Sequence, residues 1–287
     1  MAATSLKSFG NSSSDYMKSF VVAEGKVGKT TYLAAAALGA LPHQKMGLVD
    51  TPKHLHILGF DEAFVDGLHD FIVKTCGKPE AWLDVSIHDM TEARRGCGKS
   101  GEWDYSLYNA VVAEAKAITA EAAKGGVHAV IVSSLTGLAE GLEAGLSGPP
   151  NPSKKGGGMD MSKWQDLSRQ VVHIRNVLQQ DNLHAFWEGH VSRFSKAAQN
   201  GEATVEEKIE LHGGSGKNFS FNVEQVFRLR REMQKYPGTQ VDKVYVDTKP
   251  NLGFISGGRG FAALADREYD LVEVATKLGK KVGGFKG

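Results

Sequence analysis

The segment Ala23-Glu24-Gly25-Lys26-Val27-Gly28-Lys29-Thr30-Thr31 constrains this chain more than any other. It follows the apolar run Phe20-Val21-Val22-Ala23 and precedes the helix-forming stretch Tyr32-Leu33-Ala34-Ala35-Ala36-Ala37-Leu38, so the local order is strand, glycine loop, helix. The segment fits the phosphate-loop pattern G-x-x-x-x-G-K-[ST], with Ala23 in place of the first glycine. Backbone N–H groups of such a turn converge on an anion, and the helix dipole adds roughly half a positive charge there. Gly25 and Gly28 let the backbone approach, with Glu24, Lys26 and Val27 completing the loop. Lys29 is expected to stand exposed at the helix start and reach the β and γ phosphates. Thr30 supplies a hydroxyl to Mg²⁺ and Thr31 can cap phosphate oxygens. The expected cofactors are therefore ATP and Mg²⁺.

The rest of the chain alternates in the same way. Met46-Gly47-Leu48-Val49, ending at Asp50-Thr51-Pro52, reads as a second core strand. Leu107, Val111, Val112, Ala115 and Ile118 form a helical stripe between Tyr105 and Ala123, closed by Gly125-Gly126 and followed by a strand from Val127 to Val132. Residues 146–158, rich in Gly, Pro, Ser and Lys, read as a loop. Trp164, Leu167, Val171, Ile174 and Leu178 then mark an amphipathic helix, and Leu183 to Val191 a further strand. The polar stretch Ser192 to Gly216 reads as another loop, Phe219 to Leu229 as more sheet, and Lys243 to Val246 as an edge hairpin. The pattern predicts an α/β fold: a mostly parallel sheet flanked by helices, with β-rich C-terminal additions. Residues 1–18 are expected to be a flexible N-terminal segment, 19–265 the core, and 266–287 a C-terminal helix with a basic tail.

Composition removes several classes. With 34 Lys plus Arg against 33 Asp plus Glu, the net charge is +1, which excludes a global polycation that would bind nucleic acid through its overall field. No apolar run approaches the ~18 residues of a membrane span. The two cysteines, Cys76 and Cys97, have neither CxxC nor Cys/His spacing, so neither a disulfide framework nor a zinc site is indicated. Met1 to Ser14 is polar and lacks the apolar stretch of a secretory signal, which leads to the expectation of a cytoplasmic protein.

A phosphate-loop protein ordinarily carries an Asp at the end of a later core strand to hold Mg²⁺. The strand Ala129-Val130-Ile131-Val132 ends instead in Ser133-Ser134-Leu135-Thr136-Gly137-Leu138. Ser133 can orient a metal-bound water, but it adds no charge, so slow hydrolysis is expected.

Together these segments resemble the RecA/RadA core of P-loop ATPases, closest to the short phage-type RecA-like proteins that work beside single-strand annealing and single-strand binding proteins. The likeness follows the order of elements from Ser19 to Leu229 and rests on the phosphate loop, on Val132 to Leu138, and on Trp187-Glu188-Gly189-His190. It implies an ATPase forming a homo-oligomer or filament on single-stranded DNA and promoting recombination or annealing, in the host cytoplasm if phage-encoded. It further implies a water-activating acid at the end of the second strand, where Asp50 matches by order, and a γ-phosphate sensor at the end of the fourth, where His190 stands. A plain turn-capping Asp50 and a satisfied core His190 are the competing readings.

The family's DNA loops follow its third and fourth strands. Here they correspond to residues 146–162, with Lys154 and Lys155, and 192–216, with Arg193, Lys196, Lys208 and His212. Glycine with lysine suits contacts that track a phosphate backbone. Such filaments also insert basic residues toward a neighbour's γ-phosphate, and Lys249 or Arg259 in the glycine-rich stretch Asp247 to Phe261 match by position. Two other classes share the loop: a nucleotide-binding assembly protein with weak or no hydrolysis, and another P-loop motor or small-molecule kinase, the kinase disfavoured by the lack of an Arg-rich lid.

Overall fold

A computed structural model describes residues 15–23, 28–42, 44–50, 54–61, 64–99, 102–147, 161–179, 183–197, 203–209, 225–232, 243–247 and 271–283. Its centre is a six-stranded parallel sheet. The strands are β1 (Lys18–Ala23), β2 (Leu55–Gly59), β3 (Val85–Asp89), β4 (His128–Ser133), β5 (Leu183–Ala197) and β7 (Gln225–Glu232), in the spatial order β3-β2-β4-β5-β1-β7. Two antiparallel strands extend it: β6 (Ala203–Ile209) pairs with the far half of β5, and β8 (Lys243–Asp247) with β7.

Parallel strands bury both faces, and these strands do so with alternate residues. Phe20, Val22, Leu58, Val130, Val132 and Trp187 face one layer, built from α5 (Ser106–Ala122), α6 (Leu135–Ser147) and α7 (Met161–Leu178). Val21, Ala23, Ile57, Ala129, Ile131 and Phe186 face the other, built mainly from α1 (Lys29–Ala37) and the C-terminal α8 (Leu271–Lys277). The stripes read from Leu107 to Ile118 and from Trp164 to Leu178 are the faces that α5 and α7 turn to the sheet. Shorter helices α2 (Phe64–Asp70) and α3 (Pro79–Trp82) link β2 to β3, α2 running on into a π-helical turn at Phe71–Thr75, and α4 (Thr91–Gly96) follows β3. Gly189 on β5 has to be small, because a Cβ there would lie 2.5 Å from the Phe20 ring on β1.

Three expectations change. Met46 to Val49 is not a strand: the N–H groups of Leu48 and Val49 both donate to the Ala37 carbonyl, at 2.7 and 3.2 Å, so the segment caps the end of α1 instead of joining a ladder. The close approach needs Gly47, whose added Cβ would fall 2.3 Å from that carbonyl oxygen. The true second strand is β2, which starts at Leu55, nine residues beyond Met46. Its alternation was obscured because His56 occupies a core-facing position, packed between His88 at 3.3 Å and His128 at 3.5 Å. Burial first, and then the neighbouring His88, His128 and His54, pushes His56 down to a pKa of about 3, so it is carried as a neutral ring.

The second change concerns the supposed loop from Ser192 to Gly216. Arg193 and Lys196 lie on β5, where they pair in register with Glu207 and Thr204 of β6, and Lys208 lies on β6 opposite Ser192. Ala203, Val205 and Ile209 share one face of that hairpin arm, with Glu207 breaking the alternation that would have marked it as a strand. His212 lies outside the described residues. Third, the core begins before the expected boundary: Tyr16, Met17 and Lys18 are buried, and the Lys18 ammonium donates to the Leu183 carbonyl at 2.6 Å. The expected C-terminal additions fall largely outside the described residues.

Candidate functional site

The C-terminal ends of β1 and β4 lie on either side of the middle of β5, near Glu188 to His190, and α1 follows β1 there. Gly28 opens α1 in the left-handed region (φ 79°, ψ 37°), a conformation that glycine adopts without a side-chain penalty, and its carbonyl accepts the first helical bond from the Tyr32 N–H at 2.9 Å. The first turn therefore points its N–H groups at the strand ends. Glu24, Gly25, Lys26 and Val27 lie outside the described residues, and Thr31 sits half-buried in the first turn of α1.

Lys29 differs from expectation. It is only 6% exposed. The reason is Glu188, a fully buried acid on β5 whose charge Lys29 partly offsets. Thr30 Oγ1 donates to Glu188 Oε2 at 2.8 Å and lies 2.8 Å from Ser133 Oγ. Burial pushes the Glu188 carboxyl up to about 7, against the pull of Lys29 and of the Thr30 and Ser133 hydroxyls, with Asp61 adding to the rise. The other carboxylate oxygen, Oε1, is buried without a hydrogen-bond partner. Buried polar atoms are ordinarily paired, so this oxygen marks a place for a cation or donor.

The expectation that the site lacks a negative charge is thereby corrected. Ser133 stands where it was expected, at the end of β4, and the carboxylate comes from the adjacent strand. Glu188 was visible as the one acid inside the otherwise apolar run Ala185-Phe186-Trp187 to Gly189, two positions before His190. His190 is half-buried on β5 and pairs in register with Ala23, the last residue of β1, which sets it beside the start of the phosphate loop.

Asp50 is at the wrong end of the sheet for a water-activating acid. Its Oδ2 accepts from the Val127 N–H at 3.0 Å, and its own N–H donates to the Val127 carbonyl at 3.0 Å. Val127 immediately precedes β4 and Ser133 ends it, a span of about 20 Å at ~3.3 Å per residue. The bonds shown make Asp50 a tie to Val127, 77 positions further along the chain, and the turn before Thr51-Pro52 lies outside the described residues.

The acid at the end of the true second strand is Asp61. The chain leaving β2 is tied to β4 by the Phe60 N–H donating to the Ser133 carbonyl at 2.7 Å, and Ser134 Oγ donates to Asp61 Oδ2 at 2.9 Å. Arg94 holds the other oxygen: its guanidinium donates to Asp61 Oδ1 at 2.9 Å, to the Phe60 carbonyl at 2.9 Å and to Glu140 at 2.6 Å. Asp61 is thus oriented from two sides while its carboxylate stays partly open to solvent.

No family model matches the chain, and no curated protein matches it. Among solved structures it is similar to a prototypical ATPase from the type III secretion system of pathogenic bacteria, with 10% identity and a TM-score of 0.43. The match covers 75% of this chain and 52% of that one, so this chain spans about half the length of that protein. The reading of the site rests on its own geometry.

Lys154, Lys155, Lys249 and Arg259 lie outside the described residues. Among the described residues no group of three or more His, Cys, Asp or Glu side chains is placed to hold a metal. Nor is any helix among them long and apolar enough to cross a membrane.

Proposed function

We propose that this chain is an ATP-binding RecA-like protein that assembles on single-stranded DNA and promotes recombination or annealing, hydrolysing ATP to ADP and phosphate. The observation that supports this most directly is Thr30 Oγ1 held 2.8 Å from both Ser133 Oγ and Glu188 Oε2 at the mouth of a phosphate loop.

The donor set fits Mg²⁺. It consists of hard oxygens from two hydroxyls and one carboxylate, and Glu188 Oε1 has a free coordination site. Mg²⁺ keeps waters and binds through one or two carboxylates plus substrate phosphates, so an all-protein cage is not needed. Bound there, it would neutralise charge developing on the transferred phosphoryl group. Thr30 and Glu188 would hold the ion directly and Ser133 would orient one of its waters. Lys29 would turn from Glu188 to the β and γ phosphates as the anion arrives, because both draw on the same ammonium.

Asp61, fixed by Arg94 and Ser134, takes the role first assigned to Asp50: it accepts the proton of an attacking water and orients it. His190, beside the loop, senses the γ-phosphate. Lys249 or Arg259 would complete a neighbour's site, and Lys154 and Lys155 would track the DNA backbone.

Paired substitutions separate the two acids. Asp61→Asn is expected to lower kcat on the order of 100-fold with little change in KM. Asp50→Ala is expected to leave kcat unchanged and to cost about 1 kcal/mol of stability through the lost bond to Val127, read by chemical denaturation. Loss of turnover in Asp50→Ala with none in Asp61→Asn would return the base to Asp50. The reading as a whole is tested by ATP turnover with and without single-stranded DNA: stimulation supports a DNA-assembled ATPase, and equal rates remove the DNA part of the proposal.

A further inference from the structure

Trp103 and Tyr105 are two of the four large apolar side chains exposed among the described residues, at 60% and 39%. They flank Asp104, which pins their backbone. Its carboxylate accepts from the Ser106 N–H at 2.8 Å and the Gly98 N–H at 3.1 Å, and its N–H donates to the Gly145 carbonyl on α6 at 2.9 Å. The approach to α6 depends on Gly145, where a Cβ would fall 2.2 Å from the Asp104 carbonyl oxygen. From the other side Lys163, in the first turn of α7, places its ammonium 4.1 Å over the Trp103 ring and 3.4 Å from the Tyr105 hydroxyl. The same ammonium is 3.4 Å from Asp166, so it is held in place from two directions.

A large indole kept in water by a braced backbone has no role in this core. Two adjacent aromatic faces with a fixed cation are what stacks and tracks a single strand, since every base offers a π-face and every nucleotide a phosphate. The segment sits between the two helices that flank the chain carrying Lys154 and Lys155: Asp104 is bonded to Gly145 near the end of α6, and Lys163 at the start of α7 meets both aromatic side chains. We infer that Trp103, Tyr105 and Lys163 form a base-stacking platform for single-stranded DNA. This rests on the DNA-assembly reading above and adds a site separate from the two expected loops.

The test uses the full chain with oligo-dT in the presence of ATP and Mg²⁺, followed by tryptophan fluorescence and by anisotropy of a labelled oligonucleotide. Wild-type emission should be quenched on binding. Trp103→Phe should remove most of the quenching, Trp103→Ala should weaken binding about tenfold, and ATP affinity should stay unchanged in both. Leu83→Ala, which removes a side chain that is 68% exposed elsewhere on the surface, should bind oligo-dT as the wild type does. Wild-type affinity in Trp103→Ala, with quenching retained in Trp103→Phe, overturns the platform and leaves the DNA-assembly reading standing. No oligonucleotide binding by the wild type overturns both.

Discussion

Glu188→Gln is expected to lower Mg²⁺-dependent ATP turnover on the order of 100-fold while the protein folds normally, because the amide keeps the volume and the bond from Thr30 but loses the charge. The same substitution should change how stability depends on pH. The Glu188 carboxyl sits at about 7 when folded, above its ordinary value of 4.5, so between those values the folded state binds more protons than the unfolded state. The Glu188 contribution to stability, without nucleotide or Mg²⁺, must then fall as pH rises from 4.5 through 7, by roughly 3 kcal/mol in all, and is fully present only on the acid side. Glu188→Gln should remove that slope, leaving the variant more stable than the wild type at pH 8. Buried His56 and His184, both held near a pKa of about 3, act oppositely, losing stability as pH falls below the ordinary histidine value of 6.5. Denaturant melts of wild type and variant across this range isolate the Glu188 contribution by difference. Identical pH profiles would mean that Glu188 is not buried as described, and undiminished turnover would remove it from the metal site.

Lys29→Ala is expected to weaken ATP binding at least on the order of 100-fold, read by calorimetry, because a phosphate chain entering this pocket would meet the buried Glu188 with no cation to separate the two. Its burial makes the stability outcome informative. An exposed lysine could be removed with no effect on folding, whereas removing Lys29 deprives Glu188 of its nearest offsetting charge. Glu188 should answer by protonating more readily, so the variant remains folded below neutral pH and loses stability relative to wild type above it. The double variant Lys29→Ala, Glu188→Gln should recover that alkaline stability without recovering ATP binding. Unchanged ATP affinity in Lys29→Ala would exclude this pocket as the nucleotide site.

Much of the architecture is local, and to that extent it was legible in the residues. The run from Phe20 to Ala23, the glycine loop and the alanine-rich stretch after it carry their own strand, turn and helix preferences, and β1 and α1 follow. The stripes of α5 and α7 and the strand ending in Ser133 are equally plain, since each buries its apolar side against one sheet. β2 escaped because a histidine at a core position hides the alternation, and Met46 to Val49 misled because four residues rich in apolar character fit a helix cap as well as a strand. The two acids of the site could not be assigned from spacing. Asp50 and Asp61 are only eleven positions apart, yet they sit at opposite ends of the strands, because β2 runs between them and carries the chain from one end to the other. Glu188 meets Thr30 and Ser133, which lie 158 and 55 positions away from it, only because β5 inserts between β1 and β4. By itself the sequence determined the order of strand, glycine loop and helix and the α/β class, since both depend on neighbours along the chain. Which carboxylates meet that loop was decided only by strand order, a long-range property that no local pattern encodes.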